Sequence, residues 1–129
     1  DAITLNSYMF PGAQIIVPVT LNHLALDGLE KIENTISDVQ EYLNKEVLLH
    51  RVVICRDNIE ISKHAQACRK LLEDNYADVL CGTTFPHSIH YVNAALKGES
   101  ILQHLQAKGL EKHMALRESI VGIITSILN

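Results

Sequence analysis

The side chains best suited to chemistry in this chain are its histidines and cysteines, and they fall in a few tight spacings. His64 and Cys68 are four residues apart in a helical pattern, and His87 and His90 are three apart just after Pro86. Either spacing puts two metal-ligating side chains on one side of a helix turn. A structural zinc site, however, needs four convergent ligands, and neither pair has further ones close by in sequence. Cys55, Cys68 and Cys81 are odd in number and form no Cys-x-x-Cys, so they read as reduced, buried thiols rather than a redox or zinc framework. No metal site is assigned. A small metal- or thiol-dependent enzyme built on Cys81, His87 and His90 is the weakest of the functional readings.

Nucleophile and phosphate motifs are missing. There is no Gly-x-Ser-x-Gly. There is also no glycine-rich loop with a lysine and a Ser/Thr, in which backbone N–H groups and an ammonium would neutralise phosphates. Gly28, Gly98 and Gly109 are isolated.

The elements that would position a site are clearer. Ile15, Ile16, Val17 and Val19 form a β-branched run broken only by Pro18, which predicts a strand buried on both faces and ending near the proline. Leu29, Ile32, Ile36, Val39 and Leu43 recur every three or four residues and predict a helix from about Asn22 to Asn44. The pattern repeats with a strand at Leu48 to Cys55 and a helix face of Ile61, Ala65, Cys68 and Leu72. A third strand is expected over Asp78 to Phe85, followed by a short helix or loop through Leu96 and a turn at Gly98. A last helix from about Leu110 to Leu128 offers Leu116, Ile120, Ile123, Ile124 and Ile127 to the sheet. Alternating strands and helices predict one α/β unit over residues 1–129, a parallel sheet layered with helices. In such sheets ligands lie beyond the carboxyl ends of the strands, here Pro18–Asn22, Cys55–Asn58 and Phe85–Ser88. Three strands are few for an open sheet, so a free edge should pair with something further.

Length and composition agree with one domain. The 129 residues are 47% hydrophobic, with 11 Lys and Arg against 15 Asp and Glu, a formal charge of −4. This excludes a disordered chain and gives the whole surface no attraction to nucleic acid or anionic lipid. No apolar run reaches the roughly 18 residues of a membrane span, and a cytoplasmic protein without membrane partners is expected.

The order of motifs resembles the C-terminal half of ParA/Soj-type partition ATPases, relatives of MinD among deviant Walker-A P-loop proteins. "TLNSYMFPGAQIIVPVTLNHLALDGL" carries Thr4, Leu5, Asn6, Pro18, Val19, Ala25, Leu26, Gly28 and Leu29 of that pattern. "VVICRD" keeps Asp57, and "TTFPHSIHYVNAALKGESILQHLQAKG" keeps Pro86, Ala94, Gly98, Ile101, Lys108 and Gly109. The resemblance implies a parent that binds ATP and Mg, dimerises, and segregates plasmids or chromosomes with a centromere-binding partner and non-specific DNA. It implies that Arg56, Asp57, Asn58, Phe85, Pro86 and His87 form the wall around the adenine, with Phe85 or His87 flanking the ring. The family half that holds the phosphate loop, the catalytic aspartate and the magnesium-holding aspartate has no counterpart here, and Asp1 lies too near the Thr4–Asn6 helix start to replace the latter. The chain alone is therefore expected to bind no cofactor and hydrolyse no ATP.

Departures from the pattern bear on partners. The family's arginine after the proline is His87, its later glutamate is Asn93, and the glutamine after "IPV" is Thr20. Its DNA-contacting basic positions fall near Ile59 and on His90. Arg51, Arg56, Lys63, Arg69 and Lys70 are a substitute basic patch in one reading and a solvated helix face in the simpler one. A stand-alone, catalytically empty α/β module that self-associates through its open sheet edge is the alternative.

Overall fold

The computed structural model describes residues 2–59, 61–109 and 113–129. In chain order the elements are α1 (Ala2–Tyr8), β1 (Gln14–Val19), α2 (His23–Tyr42), β2 (Leu48–Ile54), α3 (Lys63–Asn75), α4 (Ile89–Leu96), α5 (Ile101–Ala107) and α6 (Met114–Leu128). Asp1, the side chain of Thr4 and the expected helix start at Leu110 lie outside the described residues.

β1 and β2 pair in parallel, as their β-branched runs and the intervening helix predict, and the fold is α/β. The register slips once: Leu49 faces Ile15 but Arg51 faces Ile16, so His50 is an extra residue on β2. The slip aims His50 and Arg51 at the end of α6. His50 Nε2 lies 2.7 Å from the Ile127 carbonyl, and Arg51 Nε donates to the Ser126 carbonyl at 3.1 Å. The last carbonyls of a helix have no partner inside it and carry partial negative charge, so these contacts fasten α6 to the strand.

Local sequence sets the helix boundaries. Asn22 accepts from the Ala25 amide at 2.9 Å and opens α2. Ser62, Ser88 and Ser100 cap α3, α4 and α5 in the same way, Ser100 in a full capping box with Gln103, each supplying an acceptor for an orphan amide. Gly98 and Gly109 follow the C-caps of α4 and α5 with φ of 68° and 91°, the left-handed conformation that stops a helix and suits glycine.

The main core lies between the sheet and the α2–α3 layer. Val17, Val19, Val52 and Ile54 meet Leu29, Ala65, Cys68 and Leu72 there. A second cluster joins Tyr8 of α1 to Ile36, Val39 and Val47. On the other face of β2, Val53 packs with Cys81 and Ile123.

Four expectations need correcting. First, β1 is buried on one face only: Gln14, Ile16 and Pro18 point outward and are exposed; the strand does end near the proline, at Val19. Proline is tolerated there because an edge strand has a row of amides with no ladder partner. Second, Asp78–Phe85 forms no continuous strand. It touches β2 through two isolated parallel bridges, Val52 with Leu80 and Cys55 with Phe85. Four residues of this segment lie between bridges that span Leu80 to Phe85, against two between Val52 and Cys55, so the ladder cannot stay in step. α6 presses on the loop thus formed: a Cβ on Gly122 would lie 2.8 Å from Thr83 Oγ1. Third, Ile61 precedes α3 and is exposed, leaving Ala65, Cys68 and Leu72 as the buried stripe. Fourth, Leu43 and Ile124 face solvent.

Candidate functional site

At the carboxyl end of the sheet three backbone segments lie side by side. The Cys55 amide donates to the Val19 carbonyl, the Phe85 amide to the Ile54 carbonyl and the Arg56 amide to the Phe85 carbonyl, each at 2.7 Å. These bonds continue the parallel pairing past the last ladder residues. They place the Arg56–Asn58 loop directly against Phe85–His87.

Asn58 locks the two loops together. Its Nδ2 donates to the His87 carbonyl at 3.0 Å and its Oδ1 accepts from the His87 amide at 2.7 Å. One side-chain amide thus serves both backbone groups of a residue 29 positions away. Arg56 takes φ of 60°, a left-handed conformation that costs a non-glycine residue about 1–2 kcal/mol and persists where surrounding bonds impose it. Asp57 turns back to α3, where Arg69 holds it at 3.0 Å. Phe85 stacks on Tyr91 of α4 with ring centroids 4.9 Å apart.

All six residues singled out in the sequence, Arg56, Asp57, Asn58, Phe85, Pro86 and His87, therefore meet in one place. Their surroundings differ. Arg56, Asn58 and His87 are exposed, whereas Asp57, Phe85 and Pro86 are half-buried. Asp57 is occupied by Arg69 and one face of Phe85 by Tyr91. Pro86 and His87 line a cavity of about 490 Å³ together with Ser88, His90, His113 and Leu116. Beside it, at the end of β1, a shallower apolar groove of about 290 Å³ runs over Pro18, Thr20, Gly28 and Cys55.

The electrostatics are those of a sheltered rim. Burial, then the nearby Asp57 carboxylate, pushes the Cys55 thiol above its ordinary 9.0, which disfavours the nucleophilic thiolate. Burial pushes the Tyr91 phenol up to about 12. Cys68 and Cys81 are buried and all three thiols are free. Cys68 Sγ lies 3.7 Å from His64 Nε2, so that pair does meet, but among the described residues no three His, Cys, Asp or Glu are arranged to hold a metal ion. A further groove, about 430 Å³ between α2 and α3, is faced by Asp27, Glu30 and Glu33, a charge that repels phosphate.

The five-residue basic patch does not assemble freely, since Arg51 is engaged by Ser126 and Arg69 by Asp57. Tyr91 and Arg69 are the supporting residues that sequence reasoning missed in this role. Arg69 lies at helical spacing from Ala65 and Cys68, a signal only of α3. Tyr91 carries no motif that separates it from a core aromatic.

The architecture defines an α/β layer protein with a crevice at the carboxyl end of its parallel strands. No family model matches the chain. It is similar, at 21% identity over 121 residues, to the sporulation initiation inhibitor protein Soj of Bacillus subtilis (strain 168). The match covers 93% of this chain and 47% of Soj, so the chain spans about half the length of this curated relative. The similarity is distant. Among the described residues no helix is long and apolar enough to cross a membrane.

Proposed function

We propose that this chain is the C-terminal portion of a ParA-like partition ATPase and supplies the wall around the adenine of ATP. The observation that carries the reading is the Asn58–His87 clamp. It joins the two loops that the family resemblance assigns to the adenine side, at the sheet edge where ligands of this architecture lie. The distant similarity to Soj along nearly the whole chain supports it.

The residues present fit a nucleobase rather than a triphosphate. The loops offer a fixed backbone at Arg56–Asn58, an imidazole at His87 and a half-buried aromatic at Phe85 that could border a flat ring. They offer no glycine-rich run of amides, and phosphates and Mg would be held by the other half of the parent domain. ATP, when bound, supplies the energy-coupled change in association; these residues orient its base and keep water from it. DNA contact is not part of this proposal for the five basic residues, two of which are internally paired.

The test is ATP turnover by the purified 129-residue chain. Background turnover is expected, and lysine-independent hydrolysis that survives repurification would sink the reading. A second reading, a catalytically empty self-associating module, is favoured by the exposed outer face of β1. It predicts a stable homodimer without nucleotide, and a strictly monomeric sedimentation profile at high concentration would remove it.

A further inference from the structure

The α4–α5 hairpin is joined to the start of α6 by three histidines that belong to three different elements. His90 is on α4, His104 on α5, and His113 is the N-cap position of α6. The His90 and His113 rings meet edge to face at 4.3 Å, and His90 and His104 are 5.6 Å apart. α4 and α5 pack chiefly on each other, and the cavity between Pro86–His90 and Ala115–Ser119 leaves a gap beside the junction. The imidazole cluster thus links the hairpin to the start of α6.

The cluster is poorly provided for charge. His104 is 1% exposed, and neither of its ring nitrogens has a hydrogen bond; Nδ1 of His90 is likewise sealed without a partner. Among the described residues the carboxylate beside the cluster is Glu99, whose Oε2 lies 3.4 Å from His104 Nδ1 without hydrogen-bond geometry. Lys108, following α5, adds a positive charge that acts on His90. His87 and Ser88 border the same cavity from the loop before α4, and Ser119 from α6. A proton taken up on His90 sits near two other imidazoles and an ammonium, and like charges in a sheltered place repel strongly.

We propose that His90, His104 and His113 form a proton-sensitive latch that holds the α4–α5 hairpin against α6 while neutral and releases it on acidification. The geometry gives the direction. Burial first, then His113, His104 and Lys108, pulls His90 below its ordinary 6.5. A depressed histidine favours the closed form above the open-state value and loses that preference as pH falls below it. Release would begin as the pH falls below about 6.5. Because Pro86 and His87 border the same cavity, the latch also sets how firmly that loop is backed, but the inference stands on the cluster alone and not on the nucleotide reading.

Amide hydrogen exchange of the chain at pH 7.5 and 5.5, corrected for intrinsic rates, tests it. Protection over 89–107 is expected to fall at the lower pH, about tenfold for each pK unit by which the fold depresses His90, while α2 and β2 keep theirs. His113→Gln should flatten that fall. NMR titration of the His90 ring in the unmodified chain, which needs no variant to fold, should show a midpoint below 6.5. Unchanged protection over 89–107, a parallel loss across α2 and β2, or a His113→Gln chain that keeps the full fall would overturn the latch. So would protection that drops on adding EDTA at pH 7.5, which would assign the histidines to a metal instead.

Discussion

β1 and β2 are built from similar β-branched runs and pair in parallel, yet the chain covers both faces of one and leaves the other open on one face. β2 is enclosed: Val52 and Ile54 face the α2–α3 core, and Val53 faces Cys81 and Ile123. β1 shares only the first of those layers. Its outward residues Gln14, Ile16 and Pro18 are exposed, Ile16 at 39%. The comparison therefore places the more open side of the sheet at β1. The Arg56–Asn58 and Phe85–His87 loops lie at the carboxyl end of both strands, held by bonds to the Val19, Ile54 and Phe85 carbonyls.

Urea unfolding separates the two strands' environments most strongly. Leu72 is fully buried over the β2 side of the core, and Leu72→Ala should cost about 2–5 kcal/mol through lost transfer energy and a cavity. Ile16→Ala in the same chain should change stability by no more than about 0.5–1 kcal/mol. Equal losses would break the contrast; a large Ile16 effect that emerges only in a longer parent polypeptide would sharpen it.

A smaller effect is expected at the loop junction. Asn58→Ala removes both bonds to His87 and should cost about 1–2 kcal/mol, with faster exchange at the His87 amide and little change in β2. In a parent that binds ATP it should also weaken ATP affinity; intact affinity would show that the clamp is scaffolding alone.

The smallest effect concerns alkaline pH. Tyr91 is raised to about 12 by burial, and Tyr76 is raised from 10.0 by burial and by its 2.7 Å bond to Glu33. The unfolded chain loses these phenolic protons first, so both tyrosines stabilise the fold below pH 10 and their contribution fades as pH rises through the folded values. Spectrophotometric titration should show an absorbance step near 12 that Tyr91→Phe abolishes; a Tyr91→Phe chain that instead loses absorbance change near 10 would mean that burial does not shelter Tyr91.

The periodic elements were legible from sequence because burial of one face writes itself as spacing. Leu29, Ile36 and Val39 marked α2, and Ala65, Cys68 and Leu72 marked α3, while Asn22 announced the α2 cap. The third strand was misread because Asp78–Phe85 has strand composition, and only its count against Val52–Cys55 shows that it must loop out. The outer face of β1 was misread for a related reason: an unbroken apolar run is the same whether the chain itself covers both faces or leaves one for another surface. At the site, the resemblance named the two loops but nothing in their types revealed that Asn58 would join them, since that depends on a contact across 29 residues. The histidine bridge was hidden in the same way, its members spread from α4 to α6.

The central claim is that these loops are one side of a nucleotide site whose phosphate-binding half lies elsewhere in the same protein. Reading the coding sequence immediately upstream of Asp1 tests it most directly. The account predicts a glycine-rich loop bearing a lysine, followed by a hydrophobic strand ending in aspartate. A start codon beside Asp1, or unrelated sequence there, would contradict it and leave an α/β module whose open β1 face serves another purpose.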